Sequence, residues 1–121
     1  MAHILIVEDS NTERHIYKNM LEKHGFTAIV AESGEEGIEK AKQAKPDLVL
    51  MDVVMPGLDG FRATRRLVRD PQTAEIPVII VSTKDQETDR IWGMRQGARD
   101  YLTKPVDEND LIKRINSALS G

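Results

Sequence analysis

At three places along this chain a mainly apolar run, and at a fourth a short strand-like segment, gives way to polar or charged side chains. Glu8 and Asp9 follow residues 3–7, Asp52 interrupts the end of residues 48–53, Ser82 and Thr83 follow residues 77–81, and Lys104 follows residues 100–103. Three carboxylates brought within a few ångströms repel one another, which raises their pKa values unless a cation neutralises them. The chain has no cysteine and only three histidines, none at metal-ligand spacing, so any such cation would meet oxygen donors alone. That favours a hard ion, and Mg²⁺ takes one or two carboxylates plus a phosphate oxygen while keeping several waters. Lys104 offers a second positive charge.

Something must bring these residues together. Residues 3–7 are mainly apolar, too short for a helix and β-branched enough for a strand buried on both faces. Ser10 with Glu13 forms a capping-box pattern, hydroxyl and carboxylate each meeting an unpaired N–H at a helix start. The first helix runs to about residue 24, where Gly25 stops it. Residues 26–31 read as a second strand, Ser33 with Glu36 opens a helix to about residue 44, and residues 48–53 form a third strand. The turn at Met55, Pro56 and Gly57 leads to a helix over 61–68. Residues 77–81 supply strand four, 85–96 helix four with Gly97 as its stop, 100–103 strand five and 107–119 the last helix. Five alternations predict a doubly wound α/β fold, a five-stranded parallel sheet with five helices on its two faces. In such sheets the functional crevice lies beyond the carboxyl ends of the strands, where the polar residues fall.

Length and charge narrow the classes. One domain accounts for 121 residues, and a net charge of −3 with scattered basic residues gives no field for nucleic acid. No stretch reaches the roughly 20 apolar residues of a membrane helix, so neither nucleic acid nor membrane is an expected partner. The absence of cysteine fits a reducing compartment, and the cytoplasm is the expected location.

The ordered set Glu8-Asp9, Met51-Asp52, Met55-Pro56, Asp59-Gly60, Ser82 and Lys104-Pro105 resembles the signature of response-regulator receiver domains over the whole chain. The resemblance implies a CheY-like fold with strand order 2-1-3-4-5, one receiver domain over residues 1–121 and no output domain. It implies Asp52 as the phosphoacceptor for a sensor histidine kinase, with Mg²⁺ held by Glu8, Asp9, Asp52 and the backbone carbonyl of Val54. Lys104 and Ser82 would take phosphoryl oxygens. Tyr101 would turn inward with the Ser82 loop, reshaping the face of helix four, strand five and helix five where a downstream protein target docks. A cis bond before Pro105 would aim the lysine inward. Residues 83–108 are also similar to regulators of type IV pilus twitching motility. A monomer or weak dimer is expected, with slow autodephosphorylation.

Plainer roles stand beside these. Glu8 and Asp9 could cap a helix, Thr83 reads as a cap, Trp92 as helix packing, and Arg62, Arg65, Arg66 and Arg69 as a solvated helix face. Two other activities are conceivable. An aspartate-nucleophile phosphohydrolase would need an Asp-x-Asp pair after strand one, and a flavin module a Gly- or Ser/Thr-rich loop there; neither is present. Within the receiver reading, a phosphate sink for a shared kinase and an effector-binding switch are both open.

Overall fold

The computed structural model describes residues 1–121. Its strands are His3–Val7 (β1), Thr27–Ala31 (β2), Leu48–Met51 (β3), Val78–Ser82 (β4) and Asp100–Thr103 (β5). The helices between and after them are Asn11–Lys23 (α1), Gly34–Ala44 (α2), Gly60–Arg69 (α3), Glu87–Arg95 (α4) and Glu108–Ser120 (α5). All strand pairs are parallel, in the expected order β2-β1-β3-β4-β5.

Side chains alternate across a strand, so each strand feeds two cores. Leu5, Val7, Val49, Met51, Val78 and Ile80 join Ala41 of α2 and Leu67 of α3. On the opposite face Ile4, Ile6, Leu48, Leu50, Ile79 and Val81 meet Tyr17 and Leu21 of α1 and Leu111 and Ile115 of α5. A strand clad on both sides has no polar face, which is why these runs are apolar without interruption.

Side chains placed at helix starts fix the entries. Ser10, Ser33, Asp59 and Asp107 each accept a hydrogen bond from the backbone N–H three residues on, at 2.9–3.3 Å. The carboxylate halves of the two expected capping boxes go elsewhere. Glu36 accepts from the Glu32 N–H at 2.6 Å, and the Ser10 N–H is taken by Glu8 at 3.1 Å. Glu13 is thereby free for Lys104.

Two expectations fail at α4. The helix starts at Glu87 with Gln86 as its cap residue, so Thr83 is an exposed loop residue and no cap. Trp92 is 49% exposed. The residue facing the sheet is its neighbour Gly93, where a Cβ would lie 2.9 Å from the Tyr101 ring and 3.1 Å from Ile80. Glycine lets α4 sit this close, and the next position is rotated about 100° away from the core.

Candidate functional site

The carboxyl ends of β1, β3 and β5 each continue the ladder by one residue into the site. The Glu8 N–H donates to Ala31, Asp52 N–H to Val7 and Lys104 N–H to Ser82, all at 2.8–3.0 Å. The sheet itself therefore sets the spacing of the three side chains. One carboxylate oxygen each from Glu8, Asp9 and Asp52 lies within 4.8 Å of the others, with Glu8 and Asp52 buried and Asp9 exposed. Three carboxylates so close, two of them shielded from water, form a donor set suited to a hard divalent ion reached from the Asp9 side. The carbonyl oxygen of Val54 accepts no hydrogen bond from the chain.

Lys104 points into this group. Its ammonium is 3.2 Å from Asp52, 2.8 Å from Glu8 and 2.6 Å from Glu13, with the side chain only 9% exposed. The bond between Lys104 and Pro105 is cis, an isomer that the sequence by itself leaves open and the family resemblance implies. Beneath the ammonium lies Tyr17, its ring centroid 5.9 Å away. Burial pushes the Tyr17 hydroxyl up to about 12, so it stays neutral. Arg14 is buried too, donating to the Glu8 carbonyl at 2.7 Å, to Asn11 at 3.0 Å and to Glu32 at 3.2 Å. Glu13, Arg14 and Tyr17 were not singled out for the site from sequence. They lie on the first turns of α1, and only their three- and four-residue spacing, which puts Glu13 and Tyr17 on one helix face, hinted at a shared destination.

Ser82 closes β4 and Tyr101 lies beside it on β5. The Ser82 side chain is fully buried, and its oxygen accepts from the Lys84 N–H at 3.1 Å. The Tyr101 hydroxyl donates to the Lys84 carbonyl at 2.7 Å and the ring is 4% exposed. Tyr101 is therefore held inside, against the backbone of the loop that follows Ser82. Lys84 ties the two residues together through its own backbone.

Burial raises the Glu8 carboxyl to about 7, against the opposing pull of its bonds to Lys104 and to the Ser10 N–H. Burial also raises Asp52, offset in part by Lys104. For Lys104 burial pulls down, but the hydrogen bonds to Glu13 and Glu8 win and hold it protonated. A carboxyl raised on folding stabilises the native state below its usual pKa, and that benefit is lost as pH climbs through the folded value. Without divalent ions, the stability advantage of Glu8→Gln over the wild type should therefore grow from pH 5 to pH 8, by on the order of 2 kcal/mol. Urea denaturation at both pH values reads this. A difference independent of pH would show that Glu8 is not protonated on folding.

Residues 4–116 match the family pattern described as response regulator receiver domain. The chain is 64% identical over 121 residues to Protein PilH of Pseudomonas aeruginosa, covering 100% of both. It is 38% identical over 116 residues to the response regulator PleD of Caulobacter vibrioides, where the match spans 96% of this chain but 26% of that protein. The structure superposes on the chemotaxis protein CheY4 of Vibrio cholerae with a TM-score of 0.91 at 28% identity, over 98% of each chain.

Proposed function

The chain belongs to the response regulator receiver domain family and acts in phosphorelay signalling, and on that premise we propose that Asp52 is the phosphoacceptor of a Mg²⁺-dependent switch. The observation that carries the assignment is the Lys104 ammonium 3.2 Å from the Asp52 carboxylate, inside a group of three clustered acids. Family membership makes this a phosphoacceptor rather than a metabolic enzyme, which sets aside the phosphohydrolase and flavin readings.

In the proposed step an Asp52 oxygen attacks the phosphorus of a phosphohistidine on the kinase. The P–N bond breaks, its electron pair stays on the imidazole nitrogen, and an acyl phosphate forms on Asp52. Glu8, Asp9, Asp52 and the Val54 carbonyl would hold Mg²⁺, which when bound supplies charge neutralisation at the phosphoryl oxygens. Lys104 exchanges part of its contact with the carboxylates for a phosphoryl oxygen. The Ser82 hydroxyl donates to another.

One charge-assisted hydrogen bond contributes about 1.5–3 kcal/mol, whereas moving a two-state element from 1:99 to 99:1 needs about 5.5 kcal/mol. Ser82 alone is too weak, so the switch must also draw on Lys104 and on the Lys84 backbone to which Tyr101 is bonded. That linkage supports the α4–β5–α5 face as the docking site of a downstream protein. Twitching-motility control is the pathway we favour, on the similarity over residues 83–108 and the end-to-end match with PilH.

The test is phosphotransfer from a purified, phosphorylated histidine kinase with and without Mg²⁺, followed by mapping of the modified residue. A stable label on any residue other than Asp52 overturns the assignment. Lys104→Met separates binding from transfer. Removing a fixed ammonium from beside the ion site relieves cation–cation repulsion, so Mg²⁺ affinity should rise about tenfold while transfer slows by about 100-fold. Calorimetry and stopped-flow labelling read the two effects, and weaker Mg²⁺ binding would show that Lys104 organises the acids rather than competing for them.

A further inference from the structure

Helix α3 carries Arg62, Arg65, Arg66 and Arg69, all exposed and spaced three and four residues apart. Like charges at that spacing destabilise a helix, and no acidic residue stands in its first turn. Arg62 is paired, with Nε 2.9 Å from Asp59. Arg65, Arg66 and Arg69 make no ion pair and donate no side-chain hydrogen bond, in a chain whose net charge is −3. Intramolecular structure thus gives no return for this repulsion.

The fold adds a fifth cation that the sequence did not place there. Lys42 of α2 faces α3, and the two helices border an open cleft of about 640 Å³ lined by Lys42, the four arginines, Ile38 and Asp70. Its single carboxylate, Asp70, is 3.3 Å from Lys42 and accepts from the Gln72 N–H. A merely solvated helix face needs no cation from a second helix and no preference for arginine at every position. Guanidinium groups bind phosphate oxygens two at a time, and the volume is that of a small-molecule site.

We propose that the α2–α3 cleft binds a small anion carrying two or more linked phosphates, at a site that shares no residue with the acid pocket. Cations converging from two helices suit a compact anion better than an extended acidic polypeptide. The other flank of α3 holds a built-in reporter. Arg65 and Arg69 also line a second cleft with Trp92, the only tryptophan, so a ligand that draws these guanidinium groups away changes the surroundings of the indole.

The experiment titrates the intact protein with tripolyphosphate and, separately, with ATP, at physiological salt and with EDTA present so that no Mg²⁺ engages the acid pocket. Calorimetry and Trp92 fluorescence are read together. Saturable one-to-one binding is expected, weakened at least tenfold in the Arg66→Gln/Arg69→Gln double variant and unchanged in Lys18→Gln. Binding of tripolyphosphate alone would identify an inorganic chain, and comparable binding of ATP a nucleotide. Equal affinity in the double variant, or no saturation at millimolar probe, overturns the proposal. So does polyglutamate displacing tripolyphosphate through the same arginines, which would make the cleft a polypeptide surface.

Discussion

Replacing Asp52 by Asn is expected to abolish acyl-phosphate formation from acetyl phosphate in the presence of Mg²⁺, a loss of more than about 1,000-fold read by intact-protein mass. The amide matches the carboxylate in shape and lacks its nucleophilic oxygen. Folding should survive, because Lys104 keeps its bonds to Glu8 at 2.8 Å and Glu13 at 2.6 Å. The sign of the stability change is itself informative. Burial raises the Asp52 carboxyl, so its ionised form is costly in the native state. Above the usual carboxylate range, Asp52→Asn should match or exceed the wild type in resistance to urea, and the advantage should fade as pH falls and the carboxyl takes up its proton. A variant that is stable yet silent separates loss of chemistry from loss of structure. Undiminished labelling of Asp52→Asn would end the assignment.

The acid cluster was legible because each member ends an apolar strand, and parallel sheets collect strand ends along one edge. Glu8, Asp9, Asp52 and Lys104 follow from that rule alone. Glu13 did not, since the capping-box pattern with Ser10 offered its carboxylate a local partner. Glu8 meets that N–H instead, and the Lys104 ammonium 2.6 Å away claims Glu13. A local motif lost to a long-range charge, a competition that spacing does not reveal. The exposure of Trp92 was hidden for a related reason. On a short helix, whether the tryptophan or its glycine neighbour faces the sheet depends on Tyr101, whose ring fills the space in front of Gly93. The pairing of Lys42 with α3 depends on the packing of α2 against α3, which no local pattern records.

The largest effect on stability is expected where the fold and the site share backbone atoms. A Cβ on Gly60 would lie 1.9 Å from the Asp52 carbonyl oxygen and 2.8 Å from both the Asp52 carbonyl carbon and the Val53 Cα. These are main-chain atoms of the β3 end, so no side-chain rotation relieves the overlap. The Gly60 N–H also donates to the Val53 carbonyl at 2.9 Å, which fixes the first turn of α3 against the strand. Either α3 moves outward or the loop carrying Val54 shifts. We expect Gly60→Ala to cost about 3 kcal/mol and to lower Tm by about 12 °C. Folded Gly60→Ala protein should also bind Mg²⁺ more weakly, because the Asp52 backbone is displaced. Gly25→Ala is the control. That glycine has a φ of +88° but nothing within 4 Å of its would-be Cβ, so only the left-handed backbone is penalised, by about 1 kcal/mol. If the two variants melt within 2 °C of each other, the close approach at Gly60 does not constrain the molecule, and α3 is not held by the strand that presents Asp52.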